Sequence, residues 1–403
     1  MKIFLALIIS LFVLFPFGQL NRLSLASTGF SFSKYPEANL YLLDLMVAGI
    51  GSCWLISKLV RKNRPATPIL AKPIFLFSII AFLSLVFNSP LLSSGEVVVA
   101  GLYLFRWFVY ALFYFALFDL LKSREGKKAG LKKLLPNLLI GAGVVSAGLG
   151  LLQYFFIPNL KFLKYLNWDP HYYRLVGTFL DPAFLGMILV FTLILLAGRL
   201  KKFPAPVGYL LFGLVYLALA LTYSRSSYLA YLVGMGVIGW VKKAPAFLII
   251  IILIGGLTLL VLPQPAGEGG QLARTYTIEA RIRNWQQSAK IAGDNLLLGV
   301  GFNAYRYAQR DYGFLKEDWK VSHAGAGADS SFLFILATTG IFGFAAYLWF
   351  WREVIRITSL EVKASGLALI THSLFNNSLF YIWIMIWFWT LLTAYQEKIK
   401  ENS

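Results

Sequence analysis

The chain is a succession of about twelve apolar runs, each close to the roughly 20 residues that an α-helix needs to cross a bilayer. Only 14% of its 403 residues are charged, whereas 58% are hydrophobic. A soluble domain carries about 25% charged residues, so this chain lacks the side chains to cover an ordinary water-facing surface. Because helices satisfy their own backbone hydrogen bonds in lipid, these features predict an all-α membrane protein. The runs are 3–20, 40–60, 69–87, 97–121, 134–157, 176–197, 207–221, 228–241, 246–262, 331–350, 364–378 and 379–395.

The basic residues that give the chain its net charge of +19 stand mainly in short clusters at the ends of these runs. In a soluble protein such a charge would suggest nucleic acid, but here the pattern is typical of cytoplasmic loops, and we expect no nucleic-acid partner. The pattern predicts that both termini are cytoplasmic and that the long polar loop faces outward. We therefore predict transmembrane helices one to nine in 1–262, an extracytoplasmic loop in 263–328, and helices ten to twelve with a cytoplasmic tail in 329–403.

One segment of the long loop has the periodicity of an amphipathic helix. Its apolar residues recur at intervals of three and four, namely Ile278, Ile282, Trp285, Ala289 and Ala292. Arg281 stands one turn before Trp285, so the two side chains project side by side. Lying over a membrane domain, such a helix can aim Arg281, with Arg283 nearby, at a lipid-anchored substrate. An interfacial helix whose arginines touch lipid phosphates explains the same pattern.

Arg225 lies in a short polar stretch, 222–227, between two apolar runs. The other five residues of the stretch all carry hydroxyl groups. A guanidinium surrounded by hydroxyl and amide donors suits the oxygens of a phosphate. The alternative is an arginine that extends to lipid headgroups at the membrane boundary.

Two candidate bases stand where the long loop meets the tenth run. His323 has the side chain that titrates near neutral pH and can serve as a general base. Asp329 has the same capacity if burial raises its pKa. Alternatively, Asp329 together with Ser330 caps the following helix, where a carboxylate is favoured.

Arg106 and His372 are two of the polar residues within apolar runs. Arg106 is a functional-site hypothesis because a charge within the membrane is expensive, although an ion pair with Asp44, Asp119 or Asp181 explains it equally well. His372 is expected to form a hydrogen bond between helices.

Six short motifs follow one another between residues 140 and 350. In chain order they are Arg174-Leu175-Val176-Gly177-Thr178-Phe179, Leu221-Thr222-Tyr223-Ser224-Arg225-Ser226, the helix from Arg281 to Trp285, Leu298-Gly299-Val300-Gly301-Phe302-Asn303, Asp329-Ser330-Ser331-Phe332-Leu333 and Gly340-Ile341-Phe342-Gly343. Together, with an outward loop among them, they resemble the O-antigen ligase and polymerase family of bacterial membrane glycosyltransferases.

This resemblance implies a GT-C-like membrane fold and transfer of a glycan from an undecaprenyl diphosphate carrier, outside the cytoplasmic membrane. The acceptor is a hydroxyl group of a sugar, lipid or protein, and neither a nucleotide sugar, a cofactor nor a metal is implied. Arg225 and Arg281 match the arginines that bind the diphosphate in the family, and we add Arg174 and Arg283 as candidates. Two fixed guanidinium groups suit this chemistry because negative charge develops on the leaving oxygen.

The chain departs from the ligase pattern at the base. Ligases have a His-Asn pair ahead of the last Gly-x-x-Gly, whereas the corresponding positions here are Asp329 and Ser330, and His323 lies further upstream. Either Asp329 replaces the histidine or the glycine-rich segment returns His323 to the site, so both stay candidate catalytic residues. Ligase, polymerase and protein glycosyltransferase all remain open. The alternative is a flippase or other polysaccharide transporter, which would not need an outward arginine helix and more often shows internal repeats.

Overall fold

The computed structural model describes residues 1–23, 38–62, 64–166, 168–263, 275–315, 319, 327–357 and 359–396. These residues form α-helices joined by short connections, with two small antiparallel strand pairs, β1 with β2 and β3 with β4. The helices are α1 Lys2–Leu14, α2 Leu42–Arg61, α3 Ala71–Asn88, α4 Ser94–Lys122, α5 Arg124–Lys128, α6 Leu131–Phe156, α7 Pro182–Arg199, α8 Ala205–Ala220, α9 Arg225–Val241, α10 Pro245–Val261, α11 Tyr276–Asp294, α12 Tyr305–Asp311, α13 Ser331–Arg356, α14 Leu360–Ser373 and α15 Ile382–Tyr395. The strands are β1 Arg22–Leu23, β2 Leu40–Tyr41, β3 Asn159–Leu160 and β4 His171–Tyr172.

Seven helices in the described part of the chain are long and apolar enough to cross a membrane, namely those containing α1, α2, α3, α4, α6, α7 and α13. Three more, α8, α10 and α15, are apolar but shorter. Every predicted apolar run overlaps an α-helix, so the all-α membrane class is confirmed, while about twelve spans stays a prediction. The number of spans is not confirmed because some of the apolar helices are too short to cross a bilayer alone. Helix α15 has 14 residues, which is about 21 Å at 1.5 Å per residue, whereas the hydrocarbon core is about 30 Å thick.

The centre of the bundle is formed by α7 and α15. All residues from 185 to 196 of α7 are buried, and the ring of Phe191 stacks on that of Trp387 with 4.4 Å between centroids. Helix α10 is the opposite case, since Ile251 is its one buried residue. A helix that is apolar all round belongs in a protein core or in lipid. Helix α7 therefore forms the core, and α10 lies at the edge of the bundle.

Helix α13 is broken at Gly340, which holds the connection after α11 in place. Gly340 has a φ of 63°, and an added Cβ would lie 2.2 Å from the carbonyl oxygen of Leu297. The backbone N–H of Val300 donates to the carbonyl of Ala337 at 2.9 Å. The motif that begins at Leu298 thus packs beside the motif that begins at Gly340. This packing sets the first half of α13 against the end of α11.

Candidate functional site

Arg225 is the first residue of α9 and follows a tight turn. The Ser224 hydroxyl accepts a hydrogen bond from the backbone N–H of Ser227 at 3.4 Å and caps the helix. Tyr223 has a φ of 51°, and its hydroxyl donates to the carbonyl of Pro263 at 2.7 Å. All five hydroxyl side chains of this stretch, which we had considered as phosphate donors, are buried. Arg225 itself is only partly buried, so it is more accessible than these hydroxyl side chains.

Arg174 supports this turn. Its buried guanidinium donates from Nε to the carbonyl of Thr222 at 3.1 Å and from Nη2 to the carbonyl of Tyr223 at 3.3 Å. Arg174 comes from the connection between β4 and α7, so it joins that connection to the turn that carries Arg225. These contacts tie Arg174 to the turn, and its predicted contact with the diphosphate stays a prediction.

The helix predicted around Arg281 is present as α11, and only part of its apolar face is buried. Ile278 and Ile282 are 46% and 44% exposed, whereas Arg281 and Asn284 are partly buried. The physical reason is a polar contact with the start of α13, where the Asn284 side-chain oxygen accepts from the backbone N–H of Asp329 at 2.7 Å. Arg281 therefore lies on the side of α11 that meets the protein, while Ile278 and Ile282 are exposed.

Asp329 lies immediately before the first turn of α13. The cap of this helix is Ser330, whose hydroxyl accepts from the backbone N–H of Leu333 at 3.5 Å. The side chain of Asp329 is not needed for that cap, and it is partly buried. Its carboxylate is therefore free to interact with charges on α11.

Four charged groups interact around Arg281. Burial lowers the pKa of Arg281, the carboxylate of Asp329 opposes this effect, the charge of Arg225 adds to it, and Asp181 opposes it. Burial likewise raises the pKa of Asp329, Arg281 lowers it, and Asp169 raises it. Arg225 and Arg281, which stand far apart in the sequence, are thus within electrostatic range of each other and of two partly buried carboxyl groups.

Asp181 is a member of this cluster that the sequence analysis missed, since we had considered it only as a partner for Arg106. Its Oδ1 caps α7 by accepting from the backbone N–H groups of Ala183 at 2.7 Å and Phe184 at 2.9 Å. Burial raises the pKa of Asp181, while these two amides and the charge of Arg174 lower it. The sequence signal was available, because Asp followed by Pro is typical of an N-cap and the first position of a helix.

The first turns of α7, α9 and α13 begin next to the cluster, within two residues of Asp181, Arg225 and Asp329. Helix N-termini carry unpaired N–H groups and a partial positive charge, which favour anions. Together with two guanidinium groups, they form a setting suited to a polyanion. The carboxyl groups beside it are suited to accepting a proton.

Two further predicted site residues are not part of the described cluster. Arg283 is exposed, and its Nη1 lies 3.9 Å from a carboxylate oxygen of Glu279. It is two positions from Arg281, about 200° around the helix at 3.6 residues per turn. His323 lies outside the described residues, so its prediction stays open.

Arg106 has a different environment within α4. Its guanidinium lies 2.7 Å from the carboxylate of Asp44. Of the other two predicted partners, Asp119 pairs with Lys58 at 2.7 Å, and Asp181 belongs to the charged cluster. The ion-pair alternative for Arg106 is therefore what the structure shows.

The fold and the cluster define a multi-pass, all-helical membrane protein with an anion-suited polar site where three helices begin. Residues 209–348 match a family model described as O-Antigen ligase, which confirms the resemblance to the O-antigen ligase and polymerase family. No curated protein matches the chain significantly. The family and the apolar helices indicate a bacterial inner-membrane protein of polysaccharide biosynthesis with ligase- or polymerase-like glycan transfer. The matched stretch contains Arg225, Arg281 and Asp329 but ends before α14 and α15.

Proposed function

We propose that this protein transfers or polymerises a glycan from an undecaprenyl diphosphate carrier onto a hydroxyl group of a sugar, lipid or protein acceptor. The observation that carries the proposal is the proximity of Arg225 and Arg281, two like charges from separate segments, in a partly buried cluster. Asp329 and Asp181 offset part of the repulsion between these like charges, and two guanidinium groups near each other suit a ligand with more than one negative charge, such as a diphosphate. The family match over the same residues supports glycan transfer as the use of that anion site.

In the proposed reaction, Arg225 and Arg281 hold the diphosphate. The acceptor hydroxyl oxygen attacks the anomeric carbon of the donor sugar, and the bond from that carbon to the diphosphate oxygen breaks. Negative charge then gathers on the leaving oxygen, where fixed donors are worth about 2.7–4 kcal/mol each in comparable enzymes. The N-termini of α7, α9 and α13 add to the same field.

Asp329 is the proposed base within the described residues. It takes the proton of the acceptor hydroxyl while the new glycosidic bond forms, and the neighbouring charge of Arg281 favours its ionised form. His323 remains the second candidate for this role. Because acceptance of the proton requires an ionised carboxylate or a neutral imidazole, the two candidates differ in the pH at which activity is lost.

The proposed orientation places the cluster at the outer membrane surface, as expected from the distribution of basic residues. Segment 263–328 then acts as an extracytoplasmic loop whose helix α11 brings Arg281 to the site. The donor lipid reaches the cluster from the membrane, with its diphosphate at the level of the helix ends.

The test is the fate of the carrier-linked glycan in cells that express Arg225→Lys or Arg281→Lys. Lysine keeps the positive charge but lacks the forked guanidinium contacts. We expect transfer to fall by about 10²-fold and the carrier-linked glycan to accumulate on the outer side. Arg283→Lys on the exposed side of α11 is the matched control and should transfer normally. Accumulation on the inner side would indicate flipping, and unchanged glycan length and attachment in both variants would remove the two arginines from the mechanism.

A further inference from the structure

A fully buried histidine lies beneath the charged cluster. His372 is the next-to-last residue of α14 and has no exposed surface. Its Nε2 lies 3.4 Å from the hydroxyl of Ser227, and its Nδ1 lies 2.7 Å from the hydroxyl of Ser378. Arg281 is within electrostatic range of the ring. The expected hydrogen bond between helices is present, but the contacts extend to more than one helix.

Asn376 adds further contacts at the ring. Its side-chain nitrogen donates to the carbonyl of His372 at 3.3 Å and lies 3.4 Å from the ring Nε2. Both ring nitrogens therefore have polar partners, Nδ1 in Ser378 and Nε2 in Ser227 and Asn376.

On one side, the chain of contacts leads to the turn of Arg225. The Ser227 hydroxyl contacts His372 and donates to the carbonyl of Ala183 at 3.1 Å, at the start of α7. It also lies 2.8 Å from the hydroxyl of Ser224, the cap of α9. His372 thus reaches the first turns of α7 and α9, and Arg225 is the first residue of α9.

On the other side, the contacts lead to Asp329. The segment that contains Asn376 and Ser378 continues to Leu379, whose backbone N–H donates to the Ser331 hydroxyl at 3.1 Å. The same hydroxyl donates to the carbonyl of Asn376 at 3.1 Å. Ser331 is the first residue of α13, two positions after Asp329. One imidazole therefore lies between the element that carries Arg225 and the element that carries Asp329.

We propose that His372 is a positioning residue that sets the Arg225 turn against the Asp329 turn, and so aligns the diphosphate with the base. This proposal rests on the proposed function for its effect on transfer, but its structural part stands by itself. Buried hydrogen-bonded networks specify one arrangement when every member is bonded, and a lost member leaves costly unpaired groups. If His372 only linked α9 to α14, it would not need its contacts with Ser378 and Asn376.

The experiment compares His372→Asn and His372→Ala with Ser373→Ala. Ser373 is the neighbouring residue on α14, is fully buried, and its hydroxyl has no hydrogen-bond partner among the described residues. With carrier-linked glycan as donor, we expect kcat of the His372 variants to fall by about 10–100-fold, because a displacement near 1 Å has effects of that size. The KM for the donor should change little, since both guanidinium groups remain, and Ser373→Ala should behave as the unmodified protein.

Hydrogen–deuterium exchange of the substrate-free protein supplies a readout that does not depend on transfer. In the His372 variants, the backbone amides of Ser227 and Leu379 should exchange faster, whereas those of α4 should not. If exchange rises as expected but no form of the protein transfers glycan, the proposed function fails and the coupling of the two turns stands. The proposal is overturned if exchange is unchanged, or if the variants lose folded protein while turnover per folded molecule stays the same. His372→Asn, which retains a polar side chain, provides the comparison if His372→Ala does not fold.

Discussion

Arg106 is paired with one carboxylate, whereas Arg281 interacts with a second arginine as well as with carboxylates. Within α4, the guanidinium of Arg106 lies against the carboxylate of Asp44 and also donates to the carbonyl of Asn39. Asp44 in turn accepts from the hydroxyl of Tyr110 at 3.0 Å and from the backbone N–H of Tyr41 at 3.1 Å. The donors and acceptors of this group are thus matched inside the protein, as expected of a buried ion pair.

At the cluster, Arg281 interacts with Arg225 as well as with Asp329 and Asp181. The two like charges repel each other in a partly buried place, which distinguishes this cluster from the one-to-one pair of Arg106 and Asp44. The comparison teaches that a buried arginine is not by itself evidence of a functional site. A second guanidinium group nearby distinguishes the arginine proposed to bind a ligand from the arginine paired within the fold.

The largest expected effect follows from breaking the matched pair. Asp44→Asn should lower the stability of the purified protein by about 3–5 kcal/mol, because Arg106 is left as an uncompensated buried charge. Arg225→Gln should lower the stability of the substrate-free protein less than Asp44→Asn does, since it also removes one of two repelling charges. The measurement is thermal unfolding in detergent, followed by tryptophan fluorescence.

A double variant is the control for this contrast. Replacing both members of the pair, with Asp44→Leu and Arg106→Met, should restore most of the lost stability because no charge remains unpaired. The comparison fails if Arg225→Gln destabilises the protein as much as Asp44→Asn does. That result would mean that the charges of the cluster hold the fold.

The second-largest expected effect is on the pH dependence of glycan transfer. Burial raises the pKa of Asp329 above the ordinary 3.8, so the acid limb of kcat/KM should lie above that pH. Below the limb, transfer should fall about tenfold per pH unit as the base becomes protonated. Asp169→Asn removes a charge that raises this pKa, so the limb should move to lower pH.

The same profile separates the two candidate bases. If His323 accepts the proton, the acid limb of kcat/KM should lie near the ordinary histidine pKa of about 6.5. Asp169→Asn should then leave the pH of that limb unchanged, whereas it should lower the pH of the limb if Asp329 is the base. Asp169 is exposed and outside the helices, so the substitution should leave the fold intact. An unmoved limb would therefore remove Asp329 from the role of base.

The helices and the two arginines of the site were predictable because their signals are local. Apolar runs and clusters of basic residues are visible in any short window, and Arg225 stands out as the single charge between two runs. The buried face of α11 was not predictable in the same way. Periodicity shows that Ile278 and Ile282 share a face, but it does not show whether that face meets protein or another apolar environment.

The rest of the cluster depends on contacts between distant segments. Asp181 and Asp169 belong to the connection before α7, and only the packing of that connection against α11 and α13 brings their charges near Arg281 and Asp329. His372 was recognised as a link between helices, yet its second and third partners lie in the turn after α14. No spacing rule in the sequence relates these segments, because tertiary packing decides which ends of helices meet.

The smallest expected effect concerns Arg283, which tests the comparison within one helix. Its side chain is 65% exposed and 3.9 Å from Glu279, one turn earlier. Exposed pairs of this kind contribute little, so Arg283→Gln should change transfer by no more than about twofold. Glu279→Gln is the matched control, because it removes the other member of the same pair and should have the same small effect. A loss in Arg283→Gln as large as that in Arg281→Lys would mean that α11 presents its other face to the substrate during transfer. The distinction between an arginine near like charges and an arginine in a solvent-exposed pair would then no longer identify the site.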